Sequence, residues 1–171
     1  MVELRCLFLL FLISCSASKV IVDYDSEINF SDFKTYYFYD DIGKKLNELD
    51  VKRIKKALNF ELQQKGCQEM ENPDFYINVI SKITELQNNN TIGIGIGSGS
   101  NNGGFGISGG IPIGSKKLNE EFIIEFVNAK TNTIFWEGIL NSTIKENRKP
   151  EEKNFHFQQI IKKILEKYPP E

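Results

Sequence analysis

The residues best suited to chemistry in this 171-residue chain are its three cysteines and its single histidine. Cys15 directly follows a short apolar run, Cys67 lies in the middle of the chain, and His156 lies near its end. A cysteine paired with a histidine can act as a nucleophile with its base, whereas a cysteine after an apolar leader can carry lipid. The sequence around each residue therefore decides which class of protein is expected.

The leader before Cys15 has the features of a signal peptide. It holds eight consecutive apolar residues, well below the roughly 20 that span a membrane. The stretch Leu12-Ile13-Ser14-Cys15 resembles the lipobox of bacterial lipoproteins. That resemblance implies that signal peptidase II cleaves between Ser14 and Cys15, that the Cys15 sulfur receives a diacylglyceryl group, and that its new amino group is acylated. The alternative is an ordinary secretory signal in which Cys15 has no special role.

The lipobox resemblance also predicts a location and a first partner. Residues 1–14 are expected to be the signal peptide, and residues 15–18 a lipidated tether that anchors the chain to a membrane. Several acyl chains anchor stably, because each buried CH₂ contributes about 0.8 kcal/mol. Ser16, directly after Cys15, implies outer-membrane delivery by the rule known for enteric bacteria. We therefore expect a lipid-anchored protein of the bacterial cell envelope, at the outer membrane.

The composition narrows the remaining possibilities. With 40% hydrophobic and 26% charged residues, the chain suits one folded domain, expected over residues 19–171. A net charge of −2 argues against nucleic acid as a partner, because phosphate binding needs a basic face. Once the leader is removed and Cys15 is lipidated, Cys67 is the one remaining thiol, which excludes a disulfide framework within one molecule.

Hydrophobic periodicity predicts the elements of this domain. A 3.6-residue apolar period with Asn47 or Asp50 as its cap and Gly66 as its stop predicts a helix over 47–66, and a second helix is predicted to begin at Pro150. Two amphipathic helices packed on one face of a largely antiparallel β-sheet, a two-layer α+β sandwich, bury these apolar faces most economically. Period-two alternation predicts strands at 19–25, 33–41, 75–86, 120–129 and 133–144.

Residues 91–115 hold ten of the chain's thirteen glycines. Residues 104–109 match the G-x-G-x-x-G dinucleotide motif, but that motif requires a helix directly after it, and a strand is predicted here. Residues 109–114 have P-loop spacing, yet Ser115 replaces the required lysine, so we expect no nucleotide. The alternation of isoleucine with glycine indicates a hairpin, and a mobile surface loop is the open alternative. Self-assembly through these strands is a third hypothesis for the segment.

Few side chains qualify for catalysis or metal binding. A Cys67–His156 pair is conceivable, but Cys67 is expected to be a small buried residue and His156 a partly exposed helical residue. Trp136 is expected in the core rather than as a platform for sugar stacking. We therefore expect no catalytic residue, no metal site and no cofactor. The carboxylate pairs Asp23/Asp25 and Asp40/Asp41 lack the spacing of a metal-binding loop and are expected to be solvated.

The order and spacing of several segments resemble the bacterial lipoprotein family catalogued as domain of unknown function 4136. The resemblance covers about residues 18–170 and implies a cell-envelope lipoprotein with an α+β domain and no established reaction. One departure is Glu137, where members often carry a basic residue. The matching segments are DYD, FSDFKTYYFYDD, ELQQKGC, NPDFYINV, the glycine-rich middle, IFWEG and ILEKYPP.

Two hypotheses about function follow. The first is a non-enzymatic binding or structural module, anchored through Cys15, that binds another envelope protein or component through its sheet or through residues 91–115. The second is a small envelope hydrolase that uses His156 or a carboxylate pair. The geometry around His156 and the grouping of the carboxylates distinguish them.

Overall fold

The structure is a computed structural model that describes residues 19–86, 91–93, 110–112 and 116–170. The predicted signal peptide and the lipidation site at Cys15 lie outside the described residues. Along the described chain the elements are β1 Val20–Tyr24, β2 Thr35–Phe38, α1 Glu48–Gln64, β3 Gln68–Glu69, β4 Phe75–Glu85, β5 Thr91–Gly93, β6 Gly110–Pro112, β7 Lys117–Asn128, β8 Ile134–Lys145 and α2 Pro150–Leu165.

Six of these strands form one open sheet in the order β1-β8-β7-β4-β2-β3. The pairs β1/β8, β7/β8 and β4/β7 are antiparallel, while β2 pairs parallel with both β4 and β3. The predicted fold class, a largely antiparallel sheet with two helices, is therefore confirmed. The parallel pairings, which no local pattern indicated, follow because α1 carries the chain from β2 back to the same end of the sheet.

The last two predicted strands form an antiparallel hairpin in the structure. β7 and β8 pair from Lys117↔Lys145 to Phe126↔Trp136, and then the register shifts so that Val127 lies opposite Ile134. This bulge leaves Phe135 as an extra residue on β8. Phe135 and Trp136 are consequently both buried although they are adjacent in sequence, and the expectation that Trp136 belongs to the core is confirmed.

The helix boundaries follow the predicted signals. The Asn47 side chain accepts a hydrogen bond from the Asp50 backbone N–H, so Asn47 rather than Asp50 is the cap of α1. Gly66 follows α1 with φ +80°, a conformation that favours glycine. Pro150 opens α2, and the Glu152 side chain accepts a hydrogen bond from the Lys149 backbone N–H at 2.7 Å.

Both helices pack on one side of the sheet, which we call the helix face. At Gly138 of β8 the contact is so close that an added Cβ would lie 2.5 Å from Cγ2 of Ile164 on α2. The opposite side carries neither helix and is called the helix-free face. The core on the helix face includes Tyr36, Phe38, Phe75, Ile77, Val79, Phe122, Ile124, Phe126, Trp136 and Leu140 from the sheet, with Ile54, Leu58, Leu62, Phe157, Ile161 and Ile164 from the helices.

The glycine-rich segment connects β4 to β7. Thr91 pairs with Pro112 and Gly93 with Gly110, so β5 and β6 form an antiparallel two-stranded sheet. Residues 94–109, which include the predicted hairpin tip, lie outside the described part of the chain. Within the described residues, no helix has both the length and the apolar character needed to cross a membrane.

Candidate functional site

The structure does not bring Cys67 and His156 into a hydrogen bond. Cys67 is buried, as predicted, and its thiol donates a long hydrogen bond of 3.9 Å to the Phe33 carbonyl oxygen. Burial raises the pKa of this thiol, which keeps it protonated at neutral pH. His156 instead bonds Glu120, with 2.5 Å between Nε2 and a carboxylate oxygen. The two groups therefore do not form the conceivable pair of nucleophile and base, and Cys67 is the small buried residue that the sequence led us to expect.

Glu120 is the most deeply buried carboxylate among the described residues, with 1% of its surface exposed. His156 bonds one of its oxygens, and the Ser81 hydroxyl donates to the other at 3.0 Å. Burial by itself raises the pKa of Glu120, but the bonds to His156 and Ser81 and the charge of Arg148 outweigh it, and the pKa is lowered. Glu120 is consequently ionised at neutral pH inside the domain.

This arrangement contains the residue types of a hydrolytic triad in the wrong order. In a Ser-His-acid triad the histidine lies between the other two and takes the serine proton. Here Glu120 lies between Ser81 and His156, so the serine hydroxyl donates to the carboxylate and not to a histidine nitrogen. Ser81 is also buried, at 8% exposure. Ser81 and His156 supply the hydrogen-bond partners that the buried Glu120 carboxylate needs. In this arrangement the histidine does not accept the serine proton.

A second buried carboxylate, Asp50, lies at the start of α1. It accepts hydrogen bonds from Arg53 at 2.7 Å, from Lys153 of α2 at 2.9 Å and from the Asn47 amide at 2.6 Å. Burial raises the pKa of Asp50, but the bonds from Lys153, Asn47 and Arg53 lower it by more. Because Lys153 belongs to the other helix, Asp50 ties the N-terminal ends of α1 and α2 together.

Between these two carboxylates lies a cavity of about 220 Å³. We call it the helix-end cleft, because it is bounded by the N-terminal ends of both helices and by the adjoining ends of β7 and β8. Arg148 lines it, and the guanidinium atoms Nε and Nη1 are buried without a hydrogen-bond partner. The other lining residues are Lys45, Leu46, Asn47, Asp50, Ile83, Leu118, Glu120, Ile144, Lys145, Glu146, Lys153 and Phe157.

The helix-free face presents two parallel rows of side chains that cross the strands. The first row is apolar and joins four isoleucines in register, of which Ile21 at the edge is 49% exposed and Ile123 is 5% exposed. The second row is acidic and ends in an amide. The rows are Ile21↔Ile139↔Ile123↔Ile80 and Asp23↔Glu137↔Glu125↔Asn78.

The acidic row places three carboxylates opposite one another across β1, β8 and β7. Burial, Glu125 and Asp23 raise the pKa of Glu137, in that order of effect, and Lys82 offsets them in part. The Asn78 amide donates to Glu125 at 2.8 Å. Asp23 is exposed as predicted, but it belongs to an ordered row of like charges that its spacing in the sequence did not reveal.

A larger cavity of about 500 Å³ adjoins this row. Tyr39 stacks on Tyr76 at its rim, with ring centroids 5.1 Å apart, and donates a hydrogen bond to Asn132 at 3.1 Å. Asp41 also lines it, whereas Asp25 accepts the Glu27 backbone N–H within a turn. Across the described residues, histidines, cysteines and carboxylates form no group of three or more that could hold a metal ion.

Glu120 and Arg148 line the helix-end cleft but were not predicted as site residues from the sequence. A signal existed for Glu120, because it shares strand parity with Phe122, Ile124 and Phe126 and therefore lies on the buried face. A charged residue at such a position is rarely buried without a partner. Arg148 gave no comparable signal, since it lies in the connection between β8 and α2.

Two solved structures have a similar fold at low sequence identity. A PDZ domain protein from Parabacteroides distasonis aligns over 90% of this chain with a TM-score of 0.60 and 15% identity. The chain covers 36% of that protein, about a third of its length. A PelC dodecamer from Paraburkholderia phytofirmans aligns over 87% of this chain and 96% of its own, with a TM-score of 0.50 and 8% identity. Both likenesses concern the fold alone.

Comparison with curated proteins gave no match. Comparison with protein families gave one match, which extends from β1 to the residues after α2. This match agrees with the resemblance noted in the sequence. Over residues 20–170 the chain belongs to the family described as domain of unknown function (DUF4136).

Proposed function

We propose that this protein is a lipid-anchored, non-enzymatic module of the bacterial cell envelope, and that its helix-free face binds a positively charged segment of another envelope protein. The row of opposed carboxylates on that face is the observation that carries the binding proposal. The lipobox resemblance at Cys15 carries the anchoring proposal. The two parts rest on different residues and are tested separately.

The anchoring proposal places the domain close to the membrane. β1 begins at Val20, five residues after Cys15. A fully extended chain covers at most about 3.5 Å per residue, so the tether reaches roughly 17 Å. A module held at that distance meets other membrane-attached proteins at high effective concentration, so a surface of low intrinsic affinity is sufficient for binding.

The binding proposal follows from the energetic cost of the acidic row. Like charges directly opposite each other on neighbouring strands destabilise a sheet, by roughly 0.2–1 kcal/mol per pair. Asp23 is opposite Glu137, and Glu137 is opposite Glu125, so the cost arises twice in one row. Lys82, whose charge lowers the pKa of Glu137, bonds Glu121 at 2.9 Å rather than any carboxylate of the row. Cationic side chains of a partner would remove this repulsion.

The neighbouring isoleucine row supports a protein partner. It offers apolar contact directly beside the carboxylates, and the combination suits a segment in which Lys or Arg alternates with apolar residues. The carboxylates of the row belong to no group that could hold a metal ion. A basic, partly apolar polypeptide therefore matches this surface better than a free cation does.

Anchoring is tested with the full-length protein and its Cys15→Ala variant in the native host. We expect native protein to fractionate with membranes and to incorporate radiolabelled palmitate, and the variant to lose both properties. Cys67→Ala is the matched control, because it removes the other cysteine of the mature chain and should retain the label. Native protein without label would contradict the anchoring proposal.

Binding is tested by cross-linking in intact envelopes and capture of the native protein. A triple variant, Asp23→Asn with Glu125→Gln and Glu137→Gln, keeps the side-chain shapes and removes the charges. We expect it to lose captured partners while its thermal midpoint rises. The control triple variant, Glu48→Gln with Glu151→Gln and Glu166→Gln, removes two exposed charges from the helices and one directly after α2, and it should capture normally. Equal capture by both variants would refute binding through this row.

The hydrolase hypothesis gains no support from the described residues. His156 neighbours a buried carboxylate and not a nucleophile, and the Cys67 thiol has a raised pKa. The opposed carboxylates lie in a row of strand neighbours on a sheet surface that is open to water, and not across a cleft that would hold a sugar.

A further inference from the structure

We propose that the helix-free face binds a second copy of this chain, which presents the side of its two helices that faces away from the sheet. This inference rests on the proposed function and names its partner. Because the two surfaces lie on opposite sides of the domain, the contact is heterologous and joins copies in rings or open chains. We call the second surface the outer helix surface, and its exposed residues include Leu49, Lys52, Lys56, Phe60, Phe155 and Lys162.

The outer helix surface carries the three most exposed large hydrophobic side chains among the described residues. Leu49, Phe155 and Phe60 are 65%, 64% and 62% exposed, whereas the next, Ile134, is 52% exposed. None of these three belongs to the hydrophobic core. Exposed aromatic side chains are typical anchors of protein interfaces, so this surface is suited to contact with another protein.

Lysines lie beside these apolar side chains. Lys52, Lys56 and Phe60 follow one another at four-residue intervals and therefore form one stripe along α1. On α2, Phe155 and Lys162 are seven residues apart and also share a face. All three lysines are exposed, and none forms an ion pair within the described part of the chain. The surface thus combines cations with apolar groups, as the proposed partner requires.

The middle of the outer helix surface is positively charged. A groove of about 370 Å³ separates α1 from α2, and its charged lining residues are Arg53, Lys56 and Lys162 against the single carboxylate Glu61. Arg53 already bonds Asp50, so the two lysines are the cations that remain for a partner. The other exposed carboxylates of the two helices lie near the helix ends, at Glu48, Glu151, Glu152 and Glu166.

The spacing of the lysines on α1 matches that of the acidic row. Lys52 and Lys56 lie about 6 Å apart along the helix axis, since each residue rises about 1.5 Å. Asp23, Glu137 and Glu125 lie on adjacent strands, which are about 4.8 Å apart. Long lysine side chains adjust to this small difference. A helix α1 laid along the row therefore brings two ammonium groups to carboxylates that otherwise repel one another.

The apolar parts of the two surfaces match in the same orientation. The isoleucine row lies two residues along each strand from the acidic row, as Ile21 and Asp23 show, and this separation is about 7 Å. α2 packs beside α1, and the axes of packed helices lie about 8–10 Å apart. When α1 lies over the acidic row, α2 with Phe155 consequently lies over the isoleucine row.

The inference is tested by sedimentation velocity of the purified full-length protein in detergent. We expect native protein to form assemblies larger than a dimer. These should dissociate as salt rises from about 0.1 M to about 1 M, because the screening length falls from about 10 Å to about 3 Å.

Two variants test the two surfaces separately. The helix variant is Lys52→Glu with Lys56→Glu, and the row variant is the triple variant of Asp23, Glu125 and Glu137 described above. The helix variant should weaken self-association at least about tenfold, because like charges facing each other across an interface are unfavourable. The row variant should weaken it as well, because the lysines lose their carboxylates. Lys34→Glu with Lys130→Glu changes two exposed lysines outside both surfaces and should assemble like native protein.

A mixture of the two variants gives the most specific outcome. The helix variant keeps its acidic row and the row variant keeps its lysines, so each mixed pair retains one productive contact. We expect a complex of one copy of each variant and nothing larger.

Native protein that stays monomeric, self-association that survives in both variants, or a mixture that does not combine would overturn the inference. A captured protein of another sequence that only the helix variant loses would assign the helices a different partner and would also overturn it. The capture experiment distinguishes this failure from that of the proposed function. If native protein is monomeric but the row variant still loses captured proteins, only the inference fails, whereas normal capture by the row variant refutes the proposed function.

Discussion

The two faces of one sheet treat the same kind of side chain in opposite ways. On the helix face, Glu120 is 1% exposed, and both of its oxygens have hydrogen-bond partners. On the helix-free face, Glu137 lies between two other carboxylates and remains partly exposed. A buried charge must be paired for the chain to fold, whereas a hydrated charge can repel its neighbours at modest cost. Carboxylates on the helix face therefore serve stability, and those on the helix-free face remain available for binding.

The largest expected effect tests the helix face at Glu120. Glu120→Ala leaves His156 and Ser81 without their shared acceptor, and breaking such a buried pair typically costs about 3–5 kcal/mol in the free energy of unfolding. Glu125→Ala, on the same strand but on the helix-free face, should change that free energy by at most about 1 kcal/mol, because it removes one pair of opposed like charges. Urea denaturation measures both. Similar losses in the two variants would contradict the contrast between the faces.

A second, smaller effect is expected at the contact between sheet and helix. Gly138→Ala places a Cβ 2.5 Å from Ile164 Cγ2 and 2.7 Å from the Trp136 ring. Overpacking of this kind costs about 1–3 kcal/mol. Asn141→Ala, at an exposed position on the same strand, is the control and should cost at most about 0.5 kcal/mol. Unfolding midpoints that match between the two variants would mean that α2 does not press on β8 at Gly138.

A third prediction concerns the acidic row and has the opposite sign. Burial and like-charged neighbours raise the pKa of Glu137 above its value in the unfolded chain, so the ionised form weakens the fold at neutral pH. Glu137→Gln should raise the free energy of unfolding by about 0.2–1 kcal/mol at pH 7. This gain should disappear as the pH falls below the ordinary glutamate pKa of about 4.3, where both states are protonated. Denaturation from pH 3 to pH 8 measures the profile, and a gain independent of pH would contradict it.

The smallest effect is expected at Lys82. Its ammonium pairs with Glu121 on the helix-free face, where the lysine side chain is 60% exposed. Solvent screens such a pair, so Lys82→Gln should leave the thermal midpoint unchanged within error. Lys153→Gln removes the same charge from Asp50 on the helix face and should lower the midpoint measurably. Equal shifts of the thermal midpoint in the two variants would show that the Lys153–Asp50 pair stabilises the fold no more than the exposed Lys82–Glu121 pair does.

Local patterns were sufficient to predict both helices and the five longest strands, whereas the two-residue strand β3 was not predicted. The alternation in Phe75, Ile77 and Val79 identified a strand, and the 3.6-residue period with Asn47 and Gly66 identified α1. These signals arise from neighbouring residues, so they can be recognised in a single sequence. Boundaries shifted by a few residues, as at the strand predicted over 33–41, which is Thr35–Phe38 in the structure.

The candidate sites were less predictable because their residues come from distant parts of the chain. Glu120 meets His156 across 36 residues and Ser81 across 39. The acidic row joins Asp23 to Glu137 only because β1 pairs with the far strand β8. No local period indicates which strands become neighbours or in which register.

The sequence by itself determined the element types, the α+β class and the parity that places each strand residue on one face or the other. It also supplied the lipobox resemblance on which the anchoring proposal depends. The tertiary structure alone decided that Glu120 is hydrogen-bonded by His156 and Ser81, that Arg148 lines the helix-end cleft, and that three carboxylates share one row. The reason is physical: backbone periodicity acts between near neighbours, whereas the pairing of buried and opposed charges depends on strand register and helix docking.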